Sequence, residues 1–400
     1  MTAPAAPSRG ASRVLKRFPI SIAVAYTAIS VFPSFLVGAY AVRLQDDLGF
    51  GTAELGYTGA ALFIAGSAAA AALGPVIDRT GASAGFRIGS VLSAGASLVV
   101  ALAARNWLGV ALGMALCGFA NAVSQLAANR LLVRRATDRR QGVGFGLKQA
   151  SVPTASVLAG FAVSFLGAGV SWRATFLVAA AVAVALAAVV PRSRRSVPRQ
   201  RQRVHIGADG RSRLLILAAV GGLAGAAGNT LALLIVDALH DGGFTEASAA
   251  LVLGLGSATS LVVRILAGWV VDRRHSSGFT ELSVLLTAGA AGFTVLAVSG
   301  NSRAFLLVGT LLAFGAGWAW AGVLYFAASR TPAVPPATAT GMVLSGVMLG
   351  SVVGPSLIGF IADHAGYGAA WGVGAGLVAA GAVLSRIGAA IATRTSAPGR

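Results

Sequence analysis

Long apolar runs follow one another along almost the whole of this 400-residue chain. An α-helix needs roughly 20 residues to cross a bilayer, and reading the runs against that length predicts twelve spans. The predicted spans cover residues 18–40, 55–77, 87–104, 107–129, 142–167, 172–191, 213–236, 247–271, 281–299, 303–328, 338–362 and 368–392. Hydrophobic residues make up 56% of the chain and charged residues 11%, so lipid surrounds most of its surface. The sequence predicts an all-α membrane protein.

Two internal echoes divide these spans into two sets of six. The stretch Gly74, Pro75, Val76, Ile77, Asp78, Arg79 returns 194 residues later as Gly268, Trp269, Val270, Val271, Asp272, Arg273. At an offset of 199 residues, Gly142, Gly160, Phe161 and Trp172 are matched by Gly341, Gly359, Phe360 and Trp371. We therefore predict two pseudo-symmetric six-helix bundles, 18–191 and 213–392, with a basic linker 192–212 and tails 1–17 and 393–400.

The placement of the basic residues decides whether the net charge of +19 indicates nucleic-acid binding or membrane topology. If the N-terminus is cytoplasmic, 24 of the 31 Lys and Arg residues fall in cytoplasmic segments, as the positive-inside rule requires. The opposite loops are acidic, with Asp46, Asp47, Glu54, Asp237, Asp241 and Glu246. We predict a monomeric plasma-membrane protein with both termini cytoplasmic, whose basic linker contacts anionic lipid, and we expect no nucleic-acid partner.

The repeated stretch resembles the signature of the major facilitator superfamily, secondary transporters of twelve helices. In that family a glycine, aspartate, arginine and glycine follow the second helix, and here they are Gly74, Asp78, Arg79 and Gly81. The second copy keeps Gly268, Asp272 and Arg273. The resemblance implies a carrier that works by alternating access. We expect both copies to act in gating, with the aspartates bonding to a helix N-terminus or an arginine across the seam; the alternative is a charged stop at the membrane surface.

Glycines also recur every four residues along the eleventh span. This pattern predicts a smooth helix face with a bend, formed by Gly350, Gly354, Pro355 and Gly359. Such a face suits a helix contact that moves during transport; the alternative is that the glycines only allow close helix packing.

Two cations interrupt the apolar spans. Lys148 lies in the fifth span and Arg264 in the eighth. A cation inside the membrane costs about 2.5 to 3.5 kcal/mol on insertion scales, and no acid lies at a similar depth. The superfamily resemblance implies that both lie near one another beside a central cavity, so we expect them to bind a carboxylate or other small anion. The alternative is that both snorkel towards the cytoplasmic interface.

Polar residues at helical spacing are further candidates for the walls of a solute cavity. They are Tyr26, Asn121, Gln125, Asn229, Trp318 and Tyr325. Hydrogen bonding between helices is the alternative role for each of them.

The remaining features limit the function. Cys117 is the single cysteine, which we expect to pack in the core, and no motif predicts an enzyme, a metal site or a bound cofactor. Asp237 is the nearest candidate for a residue that binds a coupling proton, but its position near the outer end of the seventh span favours a surface role.

A weaker resemblance, through Gly146, Lys148 and Pro153, is to the bacterial cyanate and nitroimidazole transporter group, which implies a small solute. The alternatives are a proton-coupled multidrug or metabolite exporter, and a non-transporting membrane sensor.

Overall fold

The computed structural model describes residues 19–132, 141–166, 169–190, 207–332 and 334–395. The predicted N-terminal tail, most of the basic segment before the fifth span and residues 192–206 of the predicted basic linker lie outside these residues. Within the described ranges the chain is helical and contains no strand, which confirms the predicted all-α class.

We number the membrane-crossing units α1 to α12. In the first set they are α1 (Pro19–Ala39), α2 (Thr52–Thr80), α3 (Ala82–Leu98), α4 (Trp107–Leu132), α5 (Gln141–Gln149 and Ser151–Leu166) and α6 (Trp172–Val189). In the second set they are α7 (Ala208–Asp241), α8 (Glu246–Arg274), α9 (Phe279–Ala297) and α10 (Arg303–Leu312 and Ala321–Ser329). A short helix, Ala41–Leu48, joins α1 to α2.

The last two units form one helical stretch, Pro336–Thr395, which is interrupted at Gly366. Gly366 has φ 80° and ψ 166°, a conformation that costs least in glycine. The stretch has 60 residues, far more than one bilayer crossing needs. Its two parts, α11 (336–365) and α12 (367–395), therefore complete twelve crossings within the described chain.

Capping side chains explain why several helices begin before the predicted apolar spans. The Glu54 carboxylate accepts a hydrogen bond from the Gly51 N–H at 3.0 Å, so α2 begins at Thr52. The Thr245 hydroxyl accepts from the Ser248 N–H at 3.3 Å at the start of α8. Polar caps lie outside the apolar runs, so hydropathy alone places these boundaries a few residues late.

Two predicted continuous helices are broken. The helix of α5 breaks at Ala150, three residues before Pro153, whose ring removes a backbone N–H. In α10 a widened π-helical turn, Ala313–Gly317, is followed by a turn at Trp318 before the helix resumes at Ala321. Such turns reorient side chains and free backbone groups.

Small residues allow α7 and α11 to lie nearly in backbone contact. A Cβ on Gly350 would lie 1.8 Å from the carbonyl oxygen of Gly222, and a Cβ on Gly354 would lie 2.4 Å from that of Ala226. The predicted glycine seam is therefore a packing surface within the second set of helices. The other face of α11, at Pro355 and Gly359, contacts α2 of the first set.

The two ends of the bundle differ in charge. We call the end with the α2–α3 and α8–α9 turns the basic face, and the end with the short helix Ala41–Leu48 and the α7–α8 turn the acidic face. The α5–α8 seam is closed along its length: a Cβ on Gly142 would lie 2.5 Å from the Gly268 oxygen, and one on Gly160 would lie 2.6 Å from the Gly254 nitrogen.

The α2–α11 seam differs from the α5–α8 seam in how closely the described backbones approach at its two ends. Near the acidic face, a Cβ on Gly56 would lie 2.2 Å from the Pro355 oxygen. At the basic face, nothing described lies within 4 Å of a Cβ on Gly341, which is the counterpart of Gly142 in the second echo. At Gly142 and Gly341, which the second echo relates, the described surroundings are thus unequal.

Candidate functional site

Arg264 of α8 binds main-chain oxygens on two other helices. Its Nη1 donates to the Gln149 carbonyl of α5 at 2.7 Å, and its Nη2 donates to the Trp318 carbonyl of α10 at 2.6 Å. The side chain is only 3% exposed. Because α5 and α8 belong to different sets, Arg264 ties the two halves of the bundle together.

Backbone irregularities make both acceptors available. Gln149 precedes Pro153 by four residues, so the N–H that would bond to its carbonyl in a regular helix is absent. The Trp318 carbonyl lies at the turn between the two segments of α10, where the regular helical ladder is interrupted. The breaks in α5 and α10 therefore build the acceptor pair that holds the guanidinium.

Trp318 extends this contact into the second set of helices. Its ring lies 5.1 Å from the Arg264 guanidinium carbon, which is within cation–π range. Its indole N–H donates to Asn229 Oδ1 of α7 at 3.1 Å, and Asn229 Nδ2 donates to Ser351 Oγ of α11 at 2.8 Å. Phe35 of α1 meets the Trp318 ring edge-on, with centroids 5.9 Å apart. The predicted residues Arg264, Trp318 and Asn229 thus form one connected cluster.

Two donors in this region have no partner among the described residues. They are the Nε of Arg264 and the hydroxyl of Ser260, which are buried one turn apart on the same side of α8. The two carbonyls offer only partial negative charge, and the ion pairs within the described residues do not include Arg264. A full positive charge with spare donors is therefore held inside the bundle.

Lys148 lies beside this cluster in sequence but differs in its contacts. It precedes Gln149, whose carbonyl Arg264 binds, and its side chain is partly buried. The ammonium makes no hydrogen bond to another described residue, whereas the Lys148 carbonyl accepts from Ser151 Oγ at 3.0 Å. Lys148 is thus the chain neighbour of a residue that Arg264 binds, and the described contacts include none between the two cationic groups.

The other predicted cavity residues are dispersed. Tyr325 is buried in the second segment of α10 and interacts electrostatically with Arg264. Asn121 Oδ1 in α4 is buried without a described partner, and Gln125 is partly buried one turn further on. Tyr26 packs within the first set of helices: its ring stacks on Phe86 at 5.1 Å, and its hydroxyl donates to an α6 carbonyl at 3.2 Å. Tyr26 thus has partners in α3 and α6 that account for its burial.

A carboxylate joins the same two helices at the basic face. Asp272, at the end of α8, accepts from the backbone N–H groups of Gly142 at 2.8 Å and Val143 at 2.9 Å. These N–H groups lie in the first turn of α5, where they have no partner within the helix and where the helix dipole favours an anion. Gly142 and Gly268 permit the approach, because a side chain at either position would clash with the other helix.

The family model of the Major Facilitator Superfamily matches residues 20–291 and, again, residues 217–398. The chain belongs to the Major Facilitator Superfamily. No curated protein matches it. Among solved structures it is similar to the crystal structure of a bacterial homolog of the human lysosomal transporter Spinster, in an inward-facing and occupied conformation. The two share 15% sequence identity with a TM-score of 0.66, over 96% of this chain and 97% of the other. This similarity supports the fold.

Membership of the Major Facilitator Superfamily makes this protein a membrane transporter that works by alternating access. The predicted gating residues in its second copy, Gly268 and Asp272, lie at the α5–α8 contact, while Arg273 is exposed with its guanidinium 5.0 Å from the Trp269 ring. In the first copy, Arg79 is exposed. Gly81, with φ 94°, lies between the end of α2 and the start of α3. Gly74 and Asp78 lie within α2, and their contacts are outside what the structure describes.

Several functional candidates of this superfamily member were missed at the level of sequence. The Gln149 carbonyl is one, although the spacing of Gln149 and Pro153 signals a free acceptor. The Ser156–Ser257 hydrogen bond of 2.7 Å, across the α5–α8 seam, is another, and nothing in the sequence pairs these residues. Within the described residues, no group of three His, Cys, Asp or Glu side chains suits a metal ion.

Proposed function

We propose that this carrier moves a small anionic solute, such as a monocarboxylate, and that Arg264 is the residue that recognises its charge. The observation that carries the proposal is the state of the guanidinium: it is buried between three helices and bonded to two neutral carbonyls. A buried charge without an opposite charge is costly, so a site of this kind favours an anion.

The spare donors support the same chemistry. Arg264 Nε and the Ser260 hydroxyl are unpaired donors one turn apart, and a carboxylate offers two acceptor oxygens. The half-buried ammonium of Lys148 adds a second positive charge near the basic-face end of α5. We assign Lys148 the role of drawing the anion towards Arg264.

A purely structural role for Arg264 is the competing interpretation, because its bonds to Gln149 and Trp318 brace α5, α8 and α10. The two roles also combine. An anion that competes for the guanidinium would weaken its bond to Gln149, and that bond crosses between the halves of the carrier. Binding of solute at Arg264 would thereby loosen the α5–α8 seam.

We further propose the topology of the carrier. The basic face lies in the cytoplasm, and both termini lie on that side of the plasma membrane, because most of the Lys and Arg residues occur there. The two six-helix bundles, 18–191 and 213–392, are the units that move against one another, and the protein acts as a monomer.

Thermal unfolding of the purified protein tests the anion proposal. Formate and acetate should raise the midpoint of unfolding, because a ligand that binds the folded state stabilises it by mass action. Arg264→Ala should abolish that shift and Arg264→Lys should retain part of it. The matched control is Arg386→Ala: Arg386 lies in α12, and its Nε donates to Ser283 Oγ at 3.4 Å. This variant should respond to anions as the parent does.

The opposite result is equally clear. If only lipophilic cations stabilise the protein, or if Arg264→Ala keeps the full response to acetate, the carrier is not an anion transporter of this kind. Uptake of labelled acetate and formate into proteoliposomes then distinguishes transport from binding alone.

A further inference from the structure

The acidic face is closed by hydrogen bonds to one carboxylate oxygen. Asp237 Oδ2, near the end of α7, accepts from Gln45 Nε2 at 3.1 Å and from Thr52 Oγ1 at 2.9 Å. The hydroxyl of Tyr367, at the start of α12, donates to the same oxygen. Gln45 and Thr52 belong to the first half of the carrier and Asp237 and Tyr367 to the second. Opening of the acidic face must break the bonds to Gln45 and Thr52.

Convergence of three donors on one oxygen depends on its negative charge. Hydrogen bonds to an ionised acceptor are roughly twice as strong as those between neutral groups. A proton on the carboxyl group removes the charge that draws the three donors together. Asp237 Oδ1 accepts no hydrogen bond from a described residue and is not among the fully enclosed unpaired atoms, so it is the oxygen open to a proton.

We propose that Asp237 is a proton-binding site of this carrier and that loading its carboxylate with a proton releases the acidic face for opening. The sequence favoured a surface role for this residue, but the structure makes it a partly buried contact between the two halves. The inference rests on alternating access in this superfamily, and it does not depend on the anionic nature of the solute.

The neighbouring titratable groups have other roles. Arg43, on the same short helix as Gln45, pairs with Glu246 of α8 and donates to the Val170 carbonyl. Glu54 caps the start of α2. Asp241 lies one turn beyond Asp237, is exposed, and interacts electrostatically with Tyr367. Asp363 of α11 lies against Gly51. The Arg43–Glu246 pair also crosses between the halves, so the closure of the acidic face has two parts and each contains one carboxylate.

Thiol labelling in detergent or nanodiscs tests this proposal without any solute. The native Cys117 is fully buried and is replaced by serine to remove the background. The reporter is Leu233→Cys, one turn before Asp237, where the leucine side chain packs against Gly59 of α2. After correction for the intrinsic reactivity of a thiol, which falls with pH because the thiolate is the reacting form, a polar maleimide should label this site slowly at about pH 8 and at least about tenfold faster at about pH 5. The exposed Asn301→Cys corrects for the intrinsic pH dependence of the reagent.

Variants at the carboxylate separate charge from packing. With Asp237→Asn, the reporter should react quickly at both pH values, because the charge is absent throughout. The matched control, Asp241→Asn, removes a neighbouring acid and should leave the pH dependence unchanged. A reporter that keeps its pH dependence in Asp237→Asn, or that stays protected at both pH values, overturns the proposal.

Tyr367→Phe provides a second readout that a merely loosened structure would not give. It removes one donor to the charged form and keeps the carboxylate, so the midpoint of the labelling response should move to higher pH. If labelling rises equally at every pH, with no shift of the midpoint, Asp237 closes the face without sensing protons and the proposal fails. Loss of anion binding in the earlier unfolding assay would leave these outcomes unaffected.

Discussion

The Nη1 atom of Arg264 lies 2.7 Å from the main-chain oxygen of Gln149, and this contact crosses between the two halves of the carrier. The oxygen is free because Pro153, four residues later, has no N–H to donate to it. A proline in one half thus creates the acceptor for a guanidinium in the other, which places a backbone defect at the centre of the candidate site.

Pro153→Ala should weaken the response of the carrier to anions. The new N–H at position 153 competes for the Gln149 oxygen, so Arg264 loses part of a charge-assisted bond worth about 1.5 to 3 kcal/mol. Replacing a proline inside a helix gains up to about 3 kcal/mol, so the unfolding temperature without ligand should change little or rise. Acetate titrations followed by thermal unfolding measure both effects.

Pro33→Ala is the control for that experiment. Pro33 in α1 also frees a carbonyl, that of Ile29, which accepts from Ser93 Oγ at 2.7 Å within the first half of the carrier. This variant should keep the full anion response. An unchanged acetate shift in Pro153→Ala would show that the Gln149 contact has no part in binding.

Asp272→Asn should loosen the basic-face contact between α5 and α8. The two carboxylate oxygens receive one backbone N–H group each in the first turn of α5; the amide of asparagine has a single acceptor oxygen, so one N–H group loses its partner at a cost of about 1 to 3 kcal/mol. We expect a lower unfolding temperature and faster overall proteolysis of the protein. Asp209→Asn, an exposed acid in the first turn of α7, is the matched control and should change neither value. Equal stability of both variants would rule out Asp272 as a latch.

Much of the fold could be predicted from the sequence because bilayer thickness sets the length of each apolar run. The exceptions have local causes. No proline precedes the break in α10 at the turn Ala313–Gly317. This turn packs closely against α9, because a Cβ on Gly289 would lie 2.4 Å from the Gly317 Cα. Contacts of this kind depend on three-dimensional arrangement, which one sequence does not reveal.

The candidate site was predictable in part for a similar reason. A charge inside a span is visible in the sequence, so Arg264 and Lys148 stand out. The partners of Arg264 are main-chain oxygens, and every residue has one, so residue types do not identify them. For Tyr26, the hydrogen bond from its hydroxyl to an α6 carbonyl supports the alternative role, bonding between helices, which its residue type and spacing do not distinguish from a place in the cavity wall.

Gly350→Ala should destabilise the carrier through the α7–α11 contact. A Cβ at this position would lie 1.8 Å from the Gly222 oxygen, and both groups are backbone or fixed to it. The helices must separate, at a cost of about 1 to 3 kcal/mol by analogy with overpacked cores. Gly372→Ala in α12 is the control, because nothing described lies within 4 Å of its Cβ position. The control should raise the unfolding temperature slightly, since alanine favours helix by up to about 1 kcal/mol. A stability loss of equal size in both variants would contradict the packing argument.

Trp318→Phe separates the hydrogen bond of this side chain from its ring contacts. The variant keeps an aromatic face beside Arg264 and an edge against Phe35, but it loses the indole N–H that Asn229 accepts. The freed Asn229 oxygen stays inside the bundle, so we expect a loss of about 1 to 3 kcal/mol in stability. Asn229→Leu removes the acceptor as well, and the double variant should lose less than the sum of the two single losses, because they share one bond. Thermal unfolding of the four proteins gives that coupling. If the losses are strictly additive, Trp318 and Asn229 contribute independently to stability, and their hydrogen bond does not couple α7 energetically to the Arg264 cluster.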